Sequence, residues 1–185
     1  MSRSCFVVMT QEPPCRQKVA YLMQKICNFL FDTGKPLWRF CLLAFPLAFI
    51  PSIGLVAGVN WLFDVLGVHF NGVPPHYAGT AYDFLIVGLL GPALETCLLA
   101  FVIYVLSEFF ERKLVIACIS AFLWACLHGA SAALWFFGVI WSFFVFSCAY
   151  IVWRKQSFWY GFIAAAVPHA LNNITLLTVG LIWHI

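Results

Sequence analysis

Apolar residues run almost unbroken through five stretches of the chain, at about 37–63, 82–106, 114–130, 132–153 and 158–183, with polar residues gathered between them. At a rise of about 1.5 Å per residue, each stretch is long enough to cross a hydrocarbon layer about 30 Å thick as a helix, with some tilt or thinning. The pattern predicts five transmembrane helices. Pro46 and Pro51 lie inside the first, which predicts a kink there. Upstream, Val19, Leu22, Met23, Ile26, Phe29 and Leu30 recur at helical spacing beside Lys18 and Lys25. That spacing predicts an amphipathic helix on the membrane surface, with a short buried helix as the alternative. Asp32-Thr33-Gly34 stops it and Pro36 opens the next segment. Residues 64–81, rich in Gly and Pro, read as a loop. Short connections are expected at 107–113, around Gly129-Ala130-Ser131, and at Arg154-Lys155-Gln156-Ser157.

Composition agrees with that pattern. Of 185 residues, 64% are hydrophobic and 9% charged, against about 25% charged in soluble domains. The expected fold class is an all-α integral membrane protein: a cytoplasmic tail with its interfacial helix over 1–36, and a bundle of about five transmembrane helices over 37–185. The tail has no apolar run of signal-peptide length. Of the eight cysteines, Cys41, Cys97, Cys118, Cys126 and Cys148 fall in apolar spans and read as free-thiol hydrophobes, not as a disulfide framework.

Charge adds orientation. All ten Lys and Arg residues lie in the N-terminal tail and its junction, in the 107–113 connection or at 154–157. With five spans, those segments share one side, and the positive-inside rule then puts the N-terminus in the cytoplasm and the C-terminus outside. The expected location is a bacterial inner (plasma) membrane. The net charge of +3 serves topology, so no nucleic-acid partner is expected; the expected partners are the lipid bilayer and a membrane-associated protein or peptide.

Glu95 sits near the centre of the second span, and no Lys or Arg lies in that span to neutralise it. A carboxylate there costs about 2.5–3.5 kcal/mol on insertion scales, so it reads by default as a functional residue. It must be protonated, hydrogen-bonded or turned to a wet cavity; helix-to-helix glue is its plain structural alternative. Gly91-Pro92 lies just before it. Pro92 has no N–H, which predicts an unpartnered carbonyl at Gly88, and Pro168 does the same for Ala164. His128 and His169 are the other ionisable residues well inside spans, and Asn173 follows His169 by one turn on the same face. Counted from the cytoplasmic helix ends at 1.5 Å per residue, Glu95 and His169 lie at about 17 Å, His128 at about 21 Å and Asn173 at about 23 Å. Residues on three helices therefore share one level. A Glu in an apolar bundle is suited to take a proton from water, a His to share that water or protonate a leaving amine, and a His–Asn pair to donate to an oxyanion. Asn172 is the alternative polar partner to Asn173.

These residues resemble a known family. Leu94-Glu95-Thr96, Trp124-Ala125-Cys126-Leu127-His128 and His169-Ala170-Leu171-Asn172-Asn173 are similar to the three motifs of the CPBP (Abi, CAAX-type) intramembrane proteases, over roughly 82–178. The third motif, His-x-x-x-Asn, matches best, and Trp124 stands where Phe is usual in the second. The first departs: Thr96 stands at the second of two glutamates and Ala100 at an arginine. The resemblance implies a glutamic endopeptidase in which Glu95 activates water, His128 assists and His169 and Asn173 hold the oxyanion, with Thr96, Trp124 and Asn172 in support. No cofactor is expected. Two histidines and a glutamate suit Zn²⁺ in principle, but Asn173 fits an oxyanion role better than a ligand role. Two further readings stand beside it: an inactive relative acting as a membrane scaffold or immunity protein, suggested by Thr96 and Ala100, and a b-type haem protein with His128 and His169 as axial ligands. Haem would leave Glu95 without a task.

Overall fold

The computed structural model describes residues 14–68 and 79–183; His69, His76 and His184, the tail before Pro14 and most of the 64–81 loop lie outside them. Among the described residues there are six helices and no strand: α1 (Pro14–Phe31), α2 (Leu37–Val65), α3 (Ala81–Phe109), α4 (Lys113–Ser131), α5 (Ala133–Trp153) and α6 (Phe158–Trp183). Helices α2 to α6 are long and apolar enough to cross a membrane, and they coincide with the five predicted spans to within a few residues at each end. The architecture is that of a multi-pass membrane protein.

Helix α5 is the hub. Just over half of its spanning window is buried (56%), against 28–33% in the other four helices. Small residues let its neighbours close in. On α4, Ala117, Ser120, Ala121, Trp124 and Ala125 form one buried stripe, and Ser147 on α5 donates from Oγ to Ser120 Oγ at 3.0 Å. On the other side, Ser52 of α2 and Ser142 of α5 meet through their hydroxyls at 2.8 Å. Small residues and interhelical hydrogen bonds replace the hydrophobic drive that lipid removes.

Helix α2 continues through both prolines. Pro51 offers no N–H to the carbonyl four residues earlier, Leu47; Trp141 Nε1–H donates to that carbonyl at 2.8 Å. Backbone freed at membrane depth is thus satisfied from the neighbouring helix.

Helix α3 opens on a capping box, with Thr80 Oγ1 accepting from Asp83 N–H and Asp83 Oδ2 accepting from Thr80 N–H. It then widens: Phe84–Leu90 is π-helical, and Gly91 N–H donates to Ile86 O, five residues back. An α register resumes from Gly91 to Phe109. Helices α4 and α5 are joined by a single extended residue, Ala132 (φ −153°, ψ 124°), so the reversal falls one residue beyond the expected 129–131 turn. Gly129 permits it, because a Cβ there would stand 3.0 Å from Phe136 Cβ.

Helix α1 spans the predicted amphipathic segment, and its end docks on the bundle: Leu30 is buried and Phe29 stacks on Phe40 at 5.2 Å. Cys41 and Cys148 are buried and Cys97, Cys118 and Cys126 exposed, and none of the five is in a disulfide. The basic connections gather at one end. Arg154 Nη2 donates to Ser107 Oγ at 3.2 Å, and residues 33–37 share a cavity wall with residues 153–163.

Candidate functional site

Glu95, His128 and His169 come from α3, α4 and α6 and meet at one carboxylate oxygen. Glu95 Oε2 lies 3.5 Å from His169 Nε2 and 3.9 Å from His128 Nε2. Each helix delivers its residue from the edge of a buried face. On α3 that face is Pro92, Thr96, Leu99, Ala100 and Ile103, with Glu95 one turn after Pro92 and one before Leu99. On α4, His128 follows buried Trp124 by one turn.

The oxygen is fully buried and has no hydrogen-bond partner, since 3.5 Å exceeds the 2.7–3.2 Å typical of N–H···O bonds. A proton shared among the three groups would complete the arrangement. His128 is oriented by its Nδ1–H, which donates to Trp124 O at 3.0 Å. The neutral ring then presents the lone pair of Nε2 to Glu95. His169 is buried and held by rings: Phe146 stacks on it at 4.9 Å and Phe143 meets it edge-on at 5.1 Å. Phe143 also stacks on Trp124 at 4.8 Å and reaches His128 at 5.4 Å, so one α5 phenylalanine braces both histidines. The Glu95 side chain keeps 29% exposure, beside outward-facing Leu94 and Leu98. One carboxylate oxygen is buried while the side chain as a whole stays partly exposed.

The two asparagines part company. Asn173 Nδ2 donates to Val87 O at 2.9 Å, and the π segment explains why. In an α register the carbonyl facing Pro92 is Gly88, as the sequence led us to expect. In the i→i−5 register seen at Gly91 it is Val87, five residues before Pro92. The proline has no N–H to give, and Asn173 supplies the donor. Gly88 makes this possible, because a Cβ there would lie 3.1 Å from Ile174 Cγ1. Asn173 retains a second amide hydrogen. Asn172 instead faces α5, donating from Nδ2 to Ser142 Oγ at 3.2 Å within the Ser52–Ser142 network; its Oδ1 is buried and unpartnered. Thr96 and Ala100 are both buried.

Residues that the sequence did not single out complete the site. Phe143 and Phe146 lie in a run dense with aromatics, where nothing marks two of them as histidine supports. The Val87 carbonyl was signalled only indirectly, by Pro92. Among the described residues no group of three or more His, Cys, Asp or Glu is arranged to hold a metal ion. Both Nε2 atoms turn to the carboxylate. Searches against protein-family models, curated proteins and solved structures return no match to this chain.

Proposed function

We propose that this protein is an intramembrane endopeptidase of the CPBP type, hydrolysing a peptide bond of a membrane-associated or exported protein. The observation that carries the reading is the meeting of two histidine Nε2 atoms, from separate helices, at one buried and unpartnered oxygen of Glu95. In the reaction, a water held at the accessible side of the Glu95 carboxyl group gives a proton to Glu95 as its own oxygen attacks the scissile carbonyl carbon. The carbonyl π electrons move to oxygen, and His169 with the second Asn173 hydrogen donates to that oxyanion. His128 Nε2, with its lone pair free, relays the proton from Glu95 to the leaving nitrogen. The C–N bond breaks, and one water is consumed per acid and amine formed. The exposed side of Glu95, beside Leu94 and Leu98, suits a substrate entering from the bilayer.

The orientation proposed is N-terminus in the cytoplasm and C-terminus outside, of a bacterial inner membrane. It rests on the gathering of the basic segments at one end of the bundle. The buried Thr96 and Ala100 favour a second reading, an inactive scaffold, since apolar packing stands where the family has a Glu–Arg brace. Profiling of new protein termini in membranes of cells expressing wild type or His169→Ala separates the two. The protease yields cleavage products that depend on His169, and the scaffold yields none.

A further inference from the structure

The hub helix loses its cover beside the site. From Ala133 to Trp141, the half of α5 away from the basic connections, every residue is only partly buried; from Ser142 to Trp153 all but Phe144 are buried. Trp135 stands in the first turn of the uncovered half, about 12 Å along the axis from Phe143 at 1.5 Å per residue. Its ring lies 6.3 Å from the His128 ring, which Phe143 approaches from further along α5 at 5.4 Å. His128 Nε2 in turn lies 3.9 Å from Glu95 Oε2. Trp135 is therefore one ring removed from the carboxyl group, on the side of the α4–α5 reversal.

The indole N–H groups around the hub differ in their surroundings. Trp141 Nε1–H donates to Leu47 O at 2.8 Å, and those of Trp124 and Trp153 are buried without a partner. The indole N–H of Trp135 is in neither state: it meets no acceptor among the described residues, and it is not closed off by the fold. The backbone N–H of Trp135 is already taken by Ala132 O at 2.9 Å, so the indole alone is free. An indole nitrogen only donates, and hydrocarbon offers it nothing to donate to. A peptide opened at the site does, because an extended chain carries a carbonyl acceptor on every residue.

We propose that Trp135 is a substrate-binding residue, whose indole N–H donates to a backbone carbonyl of an extended peptide segment lying along the uncovered half of α5. The inference rests on the endopeptidase reading and narrows its substrate class. The segment is unwound at the end of the bundle where α4 meets α5, since a helical segment keeps its carbonyls for its own N–H groups. A contact with a backbone carbonyl adds affinity without reading side chains. It is present before and during the reaction alike, so it acts on KM and not on kcat.

The test is steady-state cleavage, by the reconstituted full-length protein, of a synthetic peptide spanning a cleavage site found by terminal profiling. Benzothienylalanine at position 135 keeps the shape of tryptophan and puts sulfur in place of the N–H; Trp135→Phe removes the donor by ordinary mutagenesis. Each should raise KM about three- to tenfold, the effect of one neutral hydrogen bond, with kcat unchanged within about twofold. Trp61→Phe is the control for a tryptophan that only anchors the protein at the membrane surface: Trp61 is 66% exposed near the end of α2, and its loss should leave KM unchanged. An unchanged KM in the benzothienylalanine protein would overturn the proposal. So would a fall in kcat alone, which would mean that the ring acts on His128 and not on the peptide, and so would an equal rise in KM for Trp61→Phe. A wild type without any His169-dependent cleavage would remove the endopeptidase reading and this assignment with it, whereas an unchanged KM in an active enzyme removes this assignment alone.

Discussion

Replacing Asn173 by Ala removes the donor to a carbonyl that its own helix cannot serve. The Asn173 Nδ2 to Val87 O bond is 2.9 Å long, and the natural partner of that carbonyl in the π register is the nitrogen of Pro92. Interhelical hydrogen bonds in membranes average about 0.6 kcal/mol and reach about 1.7, because the unfolded chain in lipid finds other partners. Val87 O finds fewer, so Asn173→Ala should cost about 1.5 kcal/mol, near the top of that range. Pro92→Ala restores an N–H five residues beyond Val87. In that background Asn173→Ala should cost about 0.5 kcal/mol, a coupling of about 1 kcal/mol between residues on different helices. Equilibrium unfolding of the four variants by steric trapping in bicelles measures the cycle. Additivity within about 0.5 kcal/mol would refute the reasoning, as would an Asn173→Ala variant as stable as wild type. The cycle also divides two roles for Asn173. Should Pro92→Ala restore stability but not activity, Asn173 acts on the oxyanion; recovery of both would mean that it only holds α6, and hence His169, against α3.

Other outcomes follow from the same geometry. Trp141→Phe should cost about 1 kcal/mol, since the Leu47 carbonyl freed by Pro51 loses its donor; the same unfolding assay reads it, and an unchanged stability would contradict the assignment. A reporter fused after Ile185 should read as outside and one at Ser157 as cytoplasmic; the same side for both would break the five-span topology. Activity should survive strong chelation, and one zinc per chain, with activity lost on its removal and regained on its return, would replace the metal-free mechanism by a metal one.

Much of this was legible in the chain. The five spans were fixed by length and apolarity, because a helix crossing lipid has few alternatives. The level of Glu95, His128 and His169 came from counting residues along straight helices, which works because the rise is constant. Register was harder. A π turn depends on Pro92 and on a donor from α6 at once, so sequence spacing named Gly88 where the structure gives Val87. Asn172 and Asn173 are neighbours in sequence but lie about 100° apart on a helix, and only packing shows that one joins the serine network of α5 and the other α3. Phe143 earns its place by touching His128, His169 and Trp124 together, a property of three helices that no stretch of one reveals.

The central claim is that Glu95 activates water. Glu95→Gln keeps the shape of the side chain and removes the base, and a neutral amide is cheaper to bury than a carboxylate. The most direct measurement is the single-turnover rate of purified, reconstituted wild type and Glu95→Gln on a substrate found by terminal profiling. We expect the rate to fall at least about 10²-fold, with the variant as stable as wild type or more so. A well-folded Glu95→Gln protein that cleaves at the wild-type rate would contradict the mechanism.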